Sequence, residues 1–254
     1  MTRYTYGDSE LAGDRLGLVA RLFRPTSATF LLAAAPRDPG LALDLGCGPG
    51  HTTTLVHETC RPGRTIGVDR SEAFTLRARR HAAPGLGFVA ANVATTFLPL
   101  AEADLIFARL LLAHLPEPFA VVGRWSTTLT IGGRLLVDDL ESIETEDPVF
   151  RTYLDDVALA VIRAQGGALF VGPDLHEASD PADLTRVHDA VASFTPAPAE
   201  TARVFGMNLA VLTDRGEIPM QPALATALHA IATGQRDAES VRWCVRQIAW
   251  QRTG

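Results

Sequence analysis

A glycine-rich turn directly follows an apolar segment that contains an acid. Residues 41–54 read LALDLGCGPGHTTT. The run Leu41–Leu45 has the composition of a buried parallel strand, and Gly46, Gly48 and Gly50 allow the backbone to approach a ligand without steric conflict from Cβ atoms. The threonines that follow suit the start of a helix. The sequence therefore predicts a strand–loop–helix unit that binds a ligand across the carboxyl end of the strand.

A second acid ends the next apolar segment, within the sequence TIGVDRS at residues 65–71. Asp69 is placed to accept hydrogen bonds from both hydroxyls of a ribose, as nucleotide-binding folds require after one strand–helix unit. The alternative is that Asp69 only caps the helix that begins near Ser71. His51 stands where the dinucleotide pattern G-x-G-x-x-G would need a glycine, which argues against that pattern.

The composition limits the class of protein. The 254 residues, 47% of them hydrophobic, suit one large domain or a domain with a sizeable insertion. A net charge of −6 argues against a nucleic-acid surface. Cys47, Cys60 and Cys244 are too few and too scattered for a disulfide framework or a zinc site, so we expect a reducing, cytoplasmic location. We also expect no membrane span and no signal segment, since no apolar stretch reaches about 18 residues.

Strand-like and helical segments alternate up to Asp139. Amphipathic helices, interrupted at Pro25, are expected within residues 9–32. The remaining predicted elements of this part are strands at 41–45, 65–68, 86–90, 103–108 and 134–137, with helices at 52–58, 71–81 and 118–128. Such alternation predicts an α/β fold with a Rossmann-like, doubly wound, mostly parallel sheet.

The alternation stops after Asp139. Further helices are predicted at 148–164, 180–187, 200–212 and 221–233, with a strand at 190–195. The closing segment 241–250 is rich in tryptophan and β-branched residues and is predicted as a strand, with a last helix as the alternative. The two later strands would complete a sheet of seven.

The spacing Asp44-x-Gly46-x-Gly48-x-Gly50 resembles the first motif of the class I S-adenosylmethionine-dependent methyltransferases of the small-molecule type. Residues 109–118, RLLLAHLPEP, resemble the fourth motif of that family, and residues 130–137 resemble the glycine turn and strand that follow it. The resemblance covers residues 40 to 140 in the family's order. It implies S-adenosyl-L-methionine as the cofactor and methyl transfer as the activity.

The resemblance also implies which residues bind the cofactor. They lie in the first motif, after the second, third and fourth strands, and near the amino terminus. The full expected set is Tyr6, Arg15, Asp44, Gly46, Cys47, Gly48, Gly50, Asp69, Arg70, Asn92, Val93, Arg109 and Leu110. In this set Asp69 faces the ribose, Asn92 faces the adenine amino group, and the backbone of Arg109 and Leu110 holds the methionine part.

The amino-terminal segment has its own expected roles. Tyr6 is expected to close over the cofactor, with ordinary packing as the alternative. Arg15 is expected to bind the cofactor carboxylate, and the alternative is a surface ion pair with Glu10 or Asp14.

The resemblance divides the chain into three parts. Residues 1–39 form lid helices, residues 40–144 form the cofactor-binding core, and residues 145–254 complete the sheet and add helices that cover the substrate.

Transfer of a methyl group from a sulfonium releases a neutral leaving group, so positioning and water exclusion are the main requirements. If the acceptor is a hydroxyl or phenol, His114 is the first candidate base and His176 the second. A structural hydrogen bond is the alternative for His114, and solvent exposure is the alternative for His176. No metal is predicted, because adjacent acids such as Asp138 and Asp139 more often form a turn or a helix cap than a divalent-ion site.

Aromatic and apolar residues in the lid predict a small aromatic or apolar acceptor that is methylated on oxygen or nitrogen. The expected contacts are Tyr153, Phe170, Phe205 and Met207, which core packing would explain equally well. The expected partner is a small-molecule acceptor, and a homodimer is compatible with the sequence. Neither a nucleic acid nor a membrane is expected as a partner. Two alternatives stay open: a nicotinamide-dependent oxidoreductase, disfavoured because the chain contains no lysine, and a non-catalytic S-adenosylmethionine-binding module.

Overall fold

Seven strands form one mixed sheet with helices on both faces. The structure, a computed structural model, describes residues 7–94, 102–115, 117–159, 162 and 168–254. The elements in chain order are α1 (Glu10–Ala34), β1 (Leu41–Leu45), α2 (His51–Cys60), β2 (Arg64–Asp69), α3 (Glu72–Ala78), β3 (Leu86–Ala90), β4 (Ala103–Arg109), α4 (Pro118–Ser126), β5 (Leu129–Glu144), α5 (Pro148–Thr152), α6 (Gly172–Glu177), β6 (Leu184–Phe194), α7 (Pro198–Asp214), α8 (Pro222–Ala232) and β7 (Arg242–Arg252).

The strand order is β3-β2-β1-β4-β5-β7-β6. Strands β3, β2, β1, β4 and β5 run parallel, and β7 runs antiparallel to both β5 and β6. The predicted Rossmann-like, mostly parallel seven-stranded sheet is therefore confirmed. Among the described residues, no helix has the length and apolar character needed to cross a membrane.

The central strands are buried because helices cover both of their faces. Ala42 of β1 and Leu105 of β4 pack with Phe30 of α1 in one hydrophobic cluster. Leu43, the next residue of β1, points the other way and packs in a cluster with Trp125 of α4. Strands buried on both faces are typical of parallel sheets. As a result, the carboxyl ends of neighbouring strands are held side by side at one edge of the sheet.

Helix α1 is continuous, whereas the sequence predicted an interruption at Pro25. Proline has no backbone N–H, so the carbonyl of Arg21 loses its helical partner. Both Arg21 and Pro25 are exposed, which leaves this carbonyl accessible to water. The Thr29 hydroxyl donates to the Pro25 carbonyl at 3.0 Å. The predicted break is therefore wrong, because an exposed proline leaves no buried polar group unsatisfied.

The region after β5 differs most from the sequence-based expectation. The predicted helix at 180–187 is wrong: the chain enters β6 at Leu184, and the neighbouring helix is α6. Pairing with β7 along ten residues of β6 outweighs the local helical pattern. The predicted closing strand is confirmed as β7. In place of one predicted helix at 148–164, the structure has α5 followed by a π-helix at Tyr153–Ala158. Most of residues 160–167 lie outside the described part of the chain.

A buried polar cluster joins α1 to the sheet. The Ser27 hydroxyl donates to Asp138 Oδ2 at 2.5 Å and accepts from Arg109 Nη1 at 3.3 Å. The Gln247 amide of β7 donates to Asp138 Oδ1 at 3.2 Å. Burial raises the pKa of Asp138, and the Ser27 and Arg109 contacts oppose that shift. Ser27 therefore connects a buried cation to a buried acid at the helix–sheet interface.

The substitution Ser27→Ala should lower the free energy of unfolding by about 1–3 kcal/mol, because it leaves buried polar groups without a partner. Thr29→Ala is the matched control: it also removes a hydroxyl from α1, but at an exposed position, and should change stability by less than about 0.5 kcal/mol. Urea unfolding of the three proteins measures both effects. Equal stability of Ser27→Ala and the wild type would contradict the bridging role.

Candidate active site

The glycine turn after β1 has the backbone geometry that its sequence predicts. Gly46, Gly48 and Gly50 have φ angles of 70°, 52° and 94°, all in the left-handed region. The Gly46 amide donates to the Val68 carbonyl of β2 at 2.8 Å. A Cβ at Gly50 would lie 2.9 Å from Phe88 Cε1. Only glycine therefore fits at position 50. The Gly46 hydrogen bond connects the turn to β2.

Asp44 fixes the start of α2 against β1. Its Oδ2 accepts from the hydroxyls of Thr52 at 2.6 Å and Thr53 at 2.7 Å. Burial raises the pKa of this carboxyl to about 6, although both threonines and the positive charge of Arg109 lower it. Its Oδ1 is buried and has no hydrogen-bond partner among the described residues. A buried oxygen of this kind calls for a donor from elsewhere.

Asp69 links the end of β2 to the glycine turn. Its Oδ2 accepts from the Gly48 amide at 2.9 Å and its Oδ1 from the Ser71 amide at 2.8 Å. Each carboxylate oxygen accepts two hydrogen bonds, so both retain an acceptor position for a ribose hydroxyl. The Ser71 hydroxyl, which accepts from Phe74 N at 3.1 Å, caps α3. Asp69 is therefore not the helix cap that the alternative interpretation required.

The residues after β3 lie at the same edge of the sheet. Asn92 is exposed, and its Oδ1 accepts from the Ala94 amide at 3.0 Å. Val93 is buried, and its carbonyl accepts from Trp125 Nε1 at 2.8 Å. Burial raises the pKa of Asp69, and the positive charge of Arg70, which is exposed beside it, opposes that shift.

The expected cofactor-binding set also includes Cys47 and Tyr6. Cys47 is a buried thiol in the glycine turn, and its Sγ lies 3.5 Å from the Gly48 carbonyl oxygen. Tyr6 lies outside the described residues, so its expected role over the cofactor stays a prediction.

The chain is strained immediately after β4. Leu110 has φ = 51°, a conformation that is uncommon for a side chain of this size. Asp139 Oδ2 accepts from the amides of Leu111 at 3.1 Å and Leu112 at 2.9 Å, which holds the turn in place. Strain held by its surroundings is typical of functional sites. The cap interpretation of Asp139 is thus the one that the contacts support.

Arg109 turns its side chain into the interior, with its guanidinium carbon 5.9 Å from the ring centre of Phe23. Only its backbone is therefore available at the edge of the sheet. The described residues contain no group of three or more histidine, cysteine or acidic side chains that could hold a metal ion.

A small cavity of about 70 Å³ lies at the carboxyl ends of β4 and β5. Helix α1, the π-helix and α7 close it, and most of its lining is apolar, as at Phe23, Leu110 and Trp243. The π-helix contributes Tyr153 and Ala158. Such helices are rare and occur frequently at functional sites. We refer to this cavity as the acceptor pocket.

A chain of polar groups crosses the acceptor pocket. Arg15 Nε donates to Asn208 Oδ1, and Asn208 Nδ2 donates to the Tyr153 hydroxyl at 2.6 Å. The Tyr153 ring stacks on Phe205, with ring centres 4.0 Å apart. Arg15 is buried, so the surface ion pair considered as its alternative is wrong. The sequence analysis missed Asn208, although a single polar residue on the apolar face of a helix was a usable signal.

The two candidate bases lie in different places. His114 lines the acceptor pocket, where burial and the positive charges of Arg15 and Arg70 lower its pKa to about 3. It is therefore a neutral and weakly basic imidazole at neutral pH. His176 lies on α6, where its Nδ1 is 2.8 Å from Asp189 Oδ2 of β6. The structure does not bring His176 to this pocket, so its position does not support a catalytic role.

The four residues predicted to contact the acceptor also lie in different places. Tyr153 and Phe205 line the acceptor pocket. Met207 lines a second cavity, of about 810 Å³, on the other side of α1. Phe170 is half-buried and packs against the hydrophobic core.

The sequence is similar to known methyltransferases over its central part. Residues 43–137 match the family model described as a methyltransferase domain. The chain is 39% identical to a trans-aconitate 2-methyltransferase of Methylobacterium radiotolerans over 115 residues, which are 45% of this chain and 44% of that protein. It is 36% identical to the protein of the same name from an Azoarcus species, over 45% of each. The chain thus spans less than half the length of the curated relatives it matches.

The fold is similar to solved structures over nearly the whole chain. A protein of Bacillus halodurans described as a candidate methyltransferase has a TM-score of 0.60 and 14% identity, covering 89% of this chain and 98% of that one. Coclaurine N-methyltransferase has a TM-score of 0.53 and 15% identity, covering 90% and 72%. These likenesses concern the fold alone. Residues 43–137 are therefore a methyltransferase domain, and the glycine turn between β1 and α2 within it is similar to the first motif of the class I S-adenosylmethionine-dependent methyltransferases, the family whose cofactor is S-adenosylmethionine.

Proposed function

We propose that the chain transfers the methyl group of S-adenosylmethionine to a carboxylate oxygen of a small organic acid bound in the acceptor pocket. The observation that carries this proposal is the pairing of a buried cation with a very weak base. Arg15 is fixed by Asn208 in a pocket whose lining is mostly apolar, and the pKa of His114 there is about 3. The curated relatives are named for an acid, trans-aconitate, which agrees with an anionic acceptor.

The residues of the glycine turn fit the cofactor. The free acceptor positions on Asp69 suit the two ribose hydroxyls, and the unpartnered Oδ1 of Asp44 suits a donor on a positively charged ligand. Gly48 has space above it, since among the described residues a Cβ there would meet only Leu16, at 3.4 Å. When bound, S-adenosylmethionine supplies a methyl group on a sulfonium that leaves as a neutral thioether.

The acceptor side of the reaction requires no proton removal. A carboxylic acid is ionised at neutral pH, so its oxygen is already nucleophilic. A phenol or an ammonium group would need a base, and an imidazole with a pKa of about 3 is poorly matched to that task. Burial raises the pKa of Asp139 in the same pocket to about 7, but its carboxylate is engaged by the amides of Leu111 and Leu112. In this proposal Arg15 orients the acceptor anion instead of the cofactor carboxylate that the resemblance implied, and the apolar walls exclude water from the reacting atoms.

The size of the pocket indicates a small acceptor and a moving wall. At about 70 Å³ the cavity is smaller than the ~300–1,000 Å³ typical of ligand sites. The π-helix that contains Tyr153 is the part of the wall best suited to rearrange. We therefore assign the lid role to α1, to the segment around this π-helix and to α7.

The remaining sequence-based expectations stay predictions. For the homodimer, support comes from β6, an edge strand of the sheet on which Val187 and Val191 are 45% and 46% exposed. The absence of a nucleic-acid partner is supported by the net charge of −6.

A methyl-transfer assay with labelled S-adenosylmethionine should show incorporation into carboxylic acids at neutral pH. Trans-aconitate and phenylacetate represent acids without and with an aromatic body, while a phenol and a primary amine represent the other acceptor classes. We expect a product that alkali hydrolyses, as an ester requires. Labelling of the phenol or the amine, with none of either acid, would contradict the proposal.

Two glutamine variants separate the roles in the same assay. Arg15→Gln should reduce turnover of the acid about tenfold or more, because a charge-assisted contact to the acceptor is lost. His114→Gln should reduce it by less than about tenfold. A loss of about 10²–10⁴-fold in His114→Gln would instead identify a general base.

Cofactor affinity should fall as the pH falls through about 6. The pKa of Asp44 is about 6, so below this pH the carboxyl is protonated and no longer attracts a cationic ligand. Above it the carboxylate is ionised before binding, and affinity reaches its plateau. Calorimetric titration with S-adenosylmethionine between pH 5 and 8 measures this change.

Asp44→Asn is the control for this titration. The amide oxygen can still accept from Thr52 and Thr53, but the group no longer titrates. Its affinity should be low throughout and should lack the step near pH 6. A variant that keeps the wild-type step would remove Asp44 as the source.

A further inference from the structure

The cavity of about 810 Å³ lies on the opposite side of α1 from the acceptor pocket. Helix α1 presents Asp14 and Arg21 to this cavity, and it presents Arg15 and Phe23 to the acceptor pocket. Successive residues of a helix are rotated by about 100°, so the two sets lie on opposite faces. The volume falls within the ~300–1,000 Å³ that is typical of ligand sites. We refer to this space as the outer cavity.

Helix α7 is shared in the same way. Arg203 and Gly206 line the outer cavity, whereas Phe205 and Asn208 line the acceptor pocket. The residues of the described chain that line the outer cavity come from α1, α2, α7 and α8. The strand ends and the turn at Leu110 belong to the other pocket, and among the described residues the outer cavity borders the glycine turn only at His51, the first residue of α2.

The outer cavity has an apolar floor and a charged rim. Leu18 of α1 and Leu228 of α8 are buried at the floor. Gly206 leaves space above the floor, because a Cβ built there meets no atom of the described residues within 4 Å. Arg21 and Arg203 are exposed at the rim. A ligand with an apolar body and anionic groups would match both parts.

The two arginines are available for such a ligand. Among the described residues, neither Arg21 nor Arg203 forms an ion pair with an acid. Arg203 Nη2 donates to the Ala232 carbonyl at 3.3 Å, which leaves its other donors to face outward. Among the described residues that line the cavity, Asp14 is the one acid, so the two arginines give the lining a net positive charge. Arginine presents a planar pair of donors that matches a carboxylate.

We infer that the outer cavity is a second ligand site, separate from the methyl-transfer site. It takes a small organic anion with two carboxylate groups, whose apolar body lies on Leu18 and Leu228 and whose charges lie against Arg21 and Arg203. The inference does not rest on the proposed function, because no residue of the acceptor pocket takes part in it.

Phthalate, with two carboxylates on one ring, is the probe, and calorimetric titration of the full chain is the measurement. Phthalate should bind more tightly than benzoate, which has one carboxylate. Arg21→Gln and Arg203→Gln should each weaken phthalate binding about tenfold. Arg151→Gln removes the same charge from an exposed arginine that lines neither cavity, and it should bind phthalate as the wild type does.

Filling the cavity provides an independent arm. Gly206→Leu should abolish phthalate binding, because its side chain occupies the space above the floor, whereas Gly206→Ala should change affinity less than threefold. Both substitutions replace a helical glycine, so the fold should be retained. S-adenosylhomocysteine should bind to these variants as it does to the wild type, and it should not compete with phthalate.

Three results would overturn the inference. They are absence of phthalate binding to the wild type, wild-type affinity in both arginine variants, and competition between phthalate and S-adenosylhomocysteine. The titration with S-adenosylhomocysteine alone tests the cofactor site, so a failure of the proposed function is recognised separately from a failure of the outer cavity.

Discussion

Two carboxylates, the buried Asp44 and the half-buried Asp69, hold the left-handed glycine turn on which the site depends. Asp44 binds the hydroxyls of Thr52 and Thr53 at the start of α2, and Asp69 binds the amide of Gly48 from the neighbouring strand. The turn is therefore fixed from both sides before any ligand arrives. Burial raises the pKa of both acids, which is the energetic cost of placing them there. A ligand that supplies donors or positive charge at this edge offsets that cost.

Helix α1 connects this turn with the rest of the molecule. Its middle is bound to the sheet through Ser27 and Asp138, and its first turns separate the acceptor pocket from the outer cavity. Helix α7 completes the same partition by turning Asn208 to one side and Arg203 to the other. One pair of helices thus forms a wall of both cavities.

The sequence predicted the parts of the molecule whose signals are local. The glycine turn, Asp69 and the five parallel strands follow from residue types at fixed spacing, and β7 follows from its β-branched and aromatic composition. The start of β6 at Leu184, the strain at Leu110 and the role of Asn208 depend on contacts between distant segments. Spacing along the chain does not contain that information. His114 is intermediate: its place in the pocket was predicted, but its weak basicity follows from burial beside Arg15.

Cofactor binding at this site requires direct contact between the glycine turn and the cofactor. The substitution Gly48→Ala tests this contact most directly. Within the part of the chain that the structure describes, a methyl group at this position meets only Leu16, at 3.4 Å, so its cost to stability comes from the left-handed φ of 52°. That strain, about 1–2 kcal/mol, should lower the unfolding midpoint by only a few degrees. Calorimetric titration with S-adenosylhomocysteine should show affinity reduced at least about tenfold. Wild-type affinity in a folded Gly48→Ala protein would contradict the account.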